Sequence, residues 1–281
     1  MDMPLPKFPL GKGIEALIDF FTHHFAFITK GLSRFTETGI DALVDGMLFL
    51  PPWLLILLFA GIALWLSGRR IAIFAAGGLL FIWNLGLWEP TVSTIALVLI
   101  ATLVAVAIGI PIGIMAALFN GVNRVTMPVL DFMQTMPAFV YLIPAIPFFG
   151  LGPVSAIFST VIFAMPPAIR LTCLGIRQVP EELIEAADAF GSTRRQKLLK
   201  LQLPLATPTI MAGVNQTIML SLSMVVIAAM IGAGGLGGEV WKAIQRLKPG
   251  MGFEAGLGVV IVAIILDRIT QKITSRKSVN L

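Results

Sequence analysis

The chain has 281 residues, of which 57% are hydrophobic and 12% charged, with a mean hydropathy of +0.92. Soluble domains carry about 25% charged residues, and a soluble fold of this length has too little interior to hide so much apolar surface, so a secreted, cytosolic or disordered protein is excluded and the chain belongs in a membrane. The net charge of +5 does not point to nucleic acid, because the basic residues flank apolar segments, where they set topology; the single cysteine, Cys173, excludes a disulfide framework and a cysteine-based zinc site.

Residues Met1 to Lys12 include three prolines and no apolar core of signal-peptide length, so the chain is read as beginning near Met1 without a removable leader. Next, Ile14, Leu17, Ile18, Phe21, Phe25, Ile28, Leu32 and Phe35 recur at spacings of three and four. That stripe describes an amphipathic helical segment over residues 1–50, lying along the outer membrane surface or forming a short soluble hairpin. His23 and His24 are adjacent and point to different helix faces, so no metal site is expected there or elsewhere.

Seven apolar segments follow, each measured against the roughly 20 helical residues that a bilayer core requires: Pro52–Leu66, Ile71–Trp88, Thr91–Phe119, Pro137–Phe149, Pro153–Ile169, Pro208–Ile231 and Ala255–Ile269. The fold class expected is an all-α polytopic membrane protein with about seven spans. Pro144 and Pro147 interrupt the fourth, and Pro166 and Pro167 are expected to end the fifth. Two peripheral helices occupy 51–88, a five-helix core 89–273 with a long loop 170–206, and a tail 274–281. With the N-terminus outside, thirteen of the twenty Lys and Arg residues fall inside, among them Arg69, Arg70, Arg124, Arg170 and Arg177; the positive-inside rule selects that orientation.

No Asp, Glu, Lys or Arg occurs in 91–119, 137–169 or 208–231. Ion-coupled carriers place ionisable groups at membrane depth, so the absence favours an energy source outside the spans. Asp267 and Arg268 sit at the inner end of the last span and are expected to pair with each other. The chain contains no phosphate-binding G-x-x-x-x-G-K-[ST] loop. The G-x-G-x-x-G string of Gly232, Gly234 and Gly237, with Gly235 between them, follows a membrane helix instead of a strand. It is read as a tight outer turn that needs positive φ or close backbone approach, with a part in gating or in contacting an external partner as the other reading.

The inner loop is strongly punctuated. Pro180, Glu181 and Glu182 start a helix that Gly191 stops; Thr193 and Gln196 fit a capping box opening a second short helix, which Pro204 is expected to terminate. Both helices would lie parallel to the membrane, with Leu198, Leu199, Leu201 and Leu203 needing cover. Glu185, Ala186, Ala187, three residues, Gly191, nine residues, Leu201, one residue, Leu203 and Pro204 match the EAA loop of ATP-binding-cassette importer permeases.

DFMQTMPAFVYLIP (Asp131–Pro144), FAMPPAIRLTCLGIRQVP (Phe163–Pro180) and the stretch from Leu203 to Gly237 are similar to the glycine betaine/proline permeases of the quaternary-amine uptake group, over about Leu87 to Thr270. The resemblance implies a type I importer permease, not itself an enzyme, in the bacterial inner membrane. It further implies a second copy of the chain, two cytoplasmic ATPase subunits carrying the ATP and Mg, and a separate extracytoplasmic substrate-binding protein. Glu185, Ala186, Ala187 and Gly191 would be the ATPase-coupling signature, flanked by Arg194 and Arg195. The solute would be glycine betaine or a related choline, carnitine or proline; a permease for another small solute such as methionine, and an ion-coupled carrier, are the alternatives. A zwitterion without donors wants donors for its carboxylate and aromatic faces or oxygens for its cation. Asn215, Gln216, Ser221 and Ser223, with Ser155 and Ser159 and with Gln134, Thr135 and Tyr141, are candidates to face its path, or to hold helices together.

Overall fold

The computed structural model describes residues 10–24 and 26–279. Phe25 of the amphipathic stripe lies outside the described residues. The elements are α1 (Leu10–His24), α2 (Ala26–Phe49), α3 (Pro52–Ser67), α4 (Arg69–Asn84), α5 (Trp88–Leu118), α6 (Asn120–Thr135), α7 (Leu142–Phe149), α8 (Pro153–Arg177), α9 (Glu181–Ala189), α10 (Arg194–Lys197), α11 (Leu203–Ala228), α12 (Gly235–Gln245) and α13 (Pro249–Val279). A 3₁₀ turn (Ala138–Tyr141) precedes α7, a π-turn (Leu198–Gln202) joins α10 to α11, and a second 3₁₀ turn (Ala229–Ile231) follows α11.

All seven apolar segments are helical, but they differ in kind. Among the described residues, four helical stretches are long and apolar enough to cross a bilayer unaided: Trp88–Leu118, Pro153–Arg177, Arg194–Ile231 and Pro249–Gln271. The helices α3 and α4 have 16 residues each, about 24 Å at the helical rise against a core of about 30 Å. The fourth segment is shorter still and is bent by 111° from α6. Pro144 and Pro147 do not interrupt it as expected, because α7 runs from Leu142 to Phe149 through both and the break falls ahead of them, at Pro137 and the 3₁₀ turn. Ahead of α3, α2 is bent from it by 101°, so the two helices meet at nearly a right angle. Large apolar side chains on α2, including Phe27 and Phe35, stay exposed.

At the centre stands α8, packed between α5 and α11. It does not stop at Pro166–Pro167 as expected but continues to Arg177. Bundle packing is the reason. A Cβ at Gly109 would lie 2.9 Å from the Ala168 Cβ, and one at Gly213 would lie 3.0 Å from the Pro167 carbonyl oxygen. Two glycines therefore let α5 and α11 close on α8 from both sides at the proline pair, the close small-residue packing that holds helices together in lipid. A proline-bearing helix stays whole where its surroundings are this tight. The α3–α4 hairpin packs on the outside through Ile56, Ala63, Ala75, Leu79 and Ile82, against Ile95, Val98, Val262 and Ile265.

The bundle has two chemically distinct ends. At one, the Ser67 hydroxyl donates to the Arg268 carbonyl (2.8 Å) and Arg177 to the Ala116 carbonyl (3.0 Å), so the α3–α4 turn, the ends of α5 and α8, and the loop of α9 and α10 gather there. At the other, the Leu236 amide donates to the Thr94 hydroxyl (2.8 Å), and Gly232 approaches Gly152 to 3.8 Å for an added Cβ.

Candidate functional site

The loop between α8 and α11 is built as the sequence pattern requires at its start. Pro180 caps α9 with φ −53° and ψ 135°, and Glu181 and Glu182 occupy the first turn, where carboxylates favour the positive end of the helix dipole. Gly191 takes φ +73°, a conformation that costs other residues. The amides of Phe190, Gly191 and Ser192 turn back to the carbonyls of Ala186, Asp188 and Ala187, closing the helix end. The Thr193–Gln196 capping box forms, with Thr193 N to Gln196 Oε1 at 2.8 Å and Gln196 N to Thr193 Oγ1 at 3.3 Å. Lys197 Nζ reaches both Asp188 oxygens at 2.6 and 2.7 Å and ties α9 to α10.

The second half departs from expectation. Pro204 terminates nothing: α10, the π-turn and α11 form one continuous helical stretch. The Leu203 amide reaches back five residues to the Leu198 carbonyl, and this widened turn immediately ahead of Pro204 lets the helix run on through the proline into α11. Only α9 is therefore a separate short helix. Leu198 and Leu203 find cover against Ile176, Ala206 and Ile210, whereas Leu199 is 51% exposed.

No residue of α9 is buried. Leu183 is exposed and Phe190 is 92% exposed, both on the wall of a hollow of about 480 Å³ that is also lined by Ala186, Ala187, Gly191, Gln196 and Lys200. Glu185, Arg194 and Arg195 are exposed beside that hollow and not on its lining. Phe190, a large apolar residue at the C-terminal cap of α9, thus stands free at this end of the bundle.

At the opposite end the glycine string is a turn. Gly232, Gly234 and Gly235 have φ of +90°, +76° and +66°, and a Cβ on Gly237 would lie 2.7 Å from the Val226 Cα. Both requirements anticipated for the string are present, positive φ and close approach. The turn aims α12 back along α13, and with Glu89, Ser93, Glu239 and Lys242 it walls a cavity of about 320 Å³.

The nine polar path candidates separate into two groups. Tyr141, Ser155, Ser159 and Ser221 are buried within the chain. The first three knit together the interrupted segment around α7: Tyr141 donates to the Met133 carbonyl, Ser155 to the carbonyls of Ala145 (3.3 Å) and Gly150, and Ser159 to those of Tyr141 (3.1 Å) and Ser155 (2.8 Å). Prolines and 3₁₀ geometry leave carbonyls free there, and hydroxyls re-satisfy them. Asn215 turns to α13 and donates to Asp267 Oδ1 at 3.0 Å.

The remainder, Gln216 and Ser223 on α11 and Gln134 and Thr135 at the end of α6, are exposed. On α11 they belong to a stripe of exposed residues at helical spacing: Pro208, Ala212, Gln216, Met219 and Ser223.

Sequence reasoning passed over the cross-helix ties. Arg170 and Arg177, counted as topological charges of the loop, stand on α8: Arg170 bonds Asp131 of α6 at 2.5 Å, and Arg177 bonds Asn120 Oδ1 at 3.0 Å. Asp267 accepts from Gln271 at 2.7 and 2.8 Å while Arg268 stands 4.0 Å away, so its partners are amides more than the adjacent arginine. The Asp267–Gln271 spacing of four was the legible signal.

A helical bundle of this hydropathy, with an exposed short helix at one end, a glycine turn at the other and an exposed stripe on α11 between them, has the architecture of a membrane permease. The family of binding-protein-dependent transport system inner membrane components matches residues 109–279, and the chain belongs to that family. It is 53% identical to the glycine betaine transport system permease protein OpuAB of Bacillus subtilis, over 97% of each chain. Identity is 52% to the glycine betaine/carnitine transport permease protein GbuB of Listeria monocytogenes, over 95% of this chain and 96% of that one. It is 46% to the glycine betaine/proline betaine permease protein ProW of Escherichia coli, over 94% of this chain and 75% of that one. An inward-facing structure of the MetNI methionine ABC transporter superposes with a TM-score of 0.63 at 21% identity, covering 68% of this chain and 95% of that one. The fold is thus the type I ABC importer permease, a multi-pass inner-membrane protein.

Proposed function

We propose that this chain is the permease subunit of a glycine betaine importer, working as two copies with two separate ATPase subunits and a separate binding protein. The substrate reading rests on the three relatives named for glycine betaine transport, two of them above half identity over nearly the whole chain. The observation that carries the division of labour is α9, a rigid helix with no buried residue and a free Phe190 beside a 480 Å³ hollow. In this reading Glu185, Ala186, Ala187 and Gly191 form the contact with the ATPase, Arg194 and Arg195 flank it, and the end bearing α9 is cytoplasmic. The N-terminus then lies outside, α1 and α2 rest on the outer interface, the glycine turn faces the binding protein, and the C-terminal tail is inside. Closure of the ATPases draws the two copies' loops together and opens the spans outward; hydrolysis returns them. The α11 stripe with Gln216 and Ser223, together with Gln134 and Thr135, faces the path.

The test is uptake of radiolabelled glycine betaine by proteoliposomes holding the whole complex and internal ATP. ATP-dependent uptake that needs the binding protein is expected, and Phe190→Ala is expected to lower it about ten-fold or more by weakening ATPase docking, as loss of a large buried anchor does. Uptake that follows a sodium or proton gradient without ATP overturns the reading.

A further inference from the structure

The last turn of α8, three residues before the cap of α9, carries Arg177. Its guanidinium donates to the Ala116 carbonyl at the C-terminal end of α5 and to Asn120 Oδ1 at the start of α6, both at 3.0 Å. With its side-chain amide turned so that the oxygen faces the guanidinium, the orientation its neighbours select, Asn123 accepts from Arg177 Nη1 at 2.8 Å. One side chain thus holds the turn between two helices from a third. Planarity and a fixed fork of donors are what suit arginine to this. Two helical turns earlier on α8, Arg170 bonds Asp131 at 2.5 Å, farther along the same α6. The helix α6 is therefore held to α8 at both of its halves, and its far end leads through Gln134 and Thr135 into the 111° bend before α7.

We infer that Arg177, with Asn120 and Asn123, is a positioning clamp that makes α6 travel with α8 when the loop of α9 moves, with Arg170 and Asp131 as the second pin. The inference rests on the reading of α9 as the ATPase contact. A helix pinned once pivots about that point; pinned twice, it moves with its partner as a rigid body. The clamp thus carries displacement of the loop to the segment bearing Gln134 and Thr135, a contiguous set of bonded groups of the kind through which coupling travels.

The measurement is glycine betaine imported per ATP hydrolysed in proteoliposomes of the whole complex, for wild type, Arg177→Leu and the Asn120→Ala/Asn123→Ala pair. ATP hydrolysis close to wild type, with solute per ATP reduced about five-fold in each variant, is expected. The combination of all three substitutions is expected to lower the ratio no further, since one contact is lost only once. A merely structural contact would lower hydrolysis and uptake together and leave the ratio unchanged, which overturns the clamp. Losses that multiply in the combined variant also overturn it. Should Arg177→Leu fail to assemble, the asparagine pair, which leaves the arginine in place, decides alone. Absence of ATP-driven uptake by the wild type overturns the transport reading itself and the clamp with it.

Discussion

Two proline-bearing segments of this bundle behave in opposite ways. In α8, Pro166 and Pro167 stand mid-helix and the 25-residue helix continues through them to Arg177; at the junction of α6 and α7, Pro137 precedes a 3₁₀ turn and a bend of 111°, with Pro144 and Pro147 following inside α7. Proline density alone does not separate them. The difference is in what surrounds each: α8 is enclosed by α5 and α11, both approaching through glycine, whereas much of α6 and α7 is exposed. An enclosed helix has no room to bend, and tight bundle surroundings are where interior prolines are tolerated. The broken segment lacks that enclosure and depends on Tyr141, Ser155 and Ser159 instead.

Filling one of the glycine contacts would break the comparison most forcefully. Gly213→Leu puts its Cβ 3.0 Å from both Leu171 Cβ and the Pro167 carbonyl. Forcing atoms into a packed interface costs about 1–3 kcal/mol, so the thermal unfolding midpoint in detergent should fall clearly; an unchanged midpoint would mean that α11 does not support the prolines of α8. Removing the hydroxyls that knit the bend, Ser155→Ala with Ser159→Ala, should cost less, about 0.6 kcal/mol for each side chain as hydrogen bonds within membrane proteins average. Its signature should be local, with faster proteolysis near Gly150 and little change at α9.

The smallest effect is expected from Pro166→Ala with Pro167→Ala, within about 0.5 kcal/mol by the same unfolding measurement. A gain of about 3 kcal/mol, the full cost of an unsupported interior proline, would show that the bundle compensates nothing.

The same contrast explains how much was legible beforehand. Features governed by neighbours in sequence were readable: the Thr193–Gln196 capping box, the Gly191 stop, the positive-φ glycines at 232, 234 and 235, and the acidic start of α9 all depend on backbone geometry within one turn. Features governed by neighbours in space were not. Ser155 and Gln216 are both polar residues in apolar helices, yet one is buried bonding to carbonyls and the other is exposed. Asn215 and Gln216 are adjacent, yet one turns to Asp267 and the other is exposed, because one step along a helix turns the side chain by about 100°. Pro204 escapes a linear reading for a related reason: the π-turn that absorbs it is stabilised where Leu198 and Leu203 meet Ile176 and Ile210.

Sequence alone determined that the chain lives in a membrane, where its apolar segments lie, that its charge collects outside them, and that one loop carries a rigid, capped helix. Hydropathy and capping are sums over contiguous residues, so a linear reading recovers them. Tertiary structure alone decided that α8 survives its prolines, that Pro204 sits inside a continuous helix, that Tyr141, Ser155, Ser159 and Ser221 are internal, and that Arg170 and Arg177 bind helices together. Each of those outcomes depends on which helix stands opposite a given face, and in lipid, where apolar surface does not distinguish a neighbour from solvent tails, close packing and hydrogen bonds make that choice.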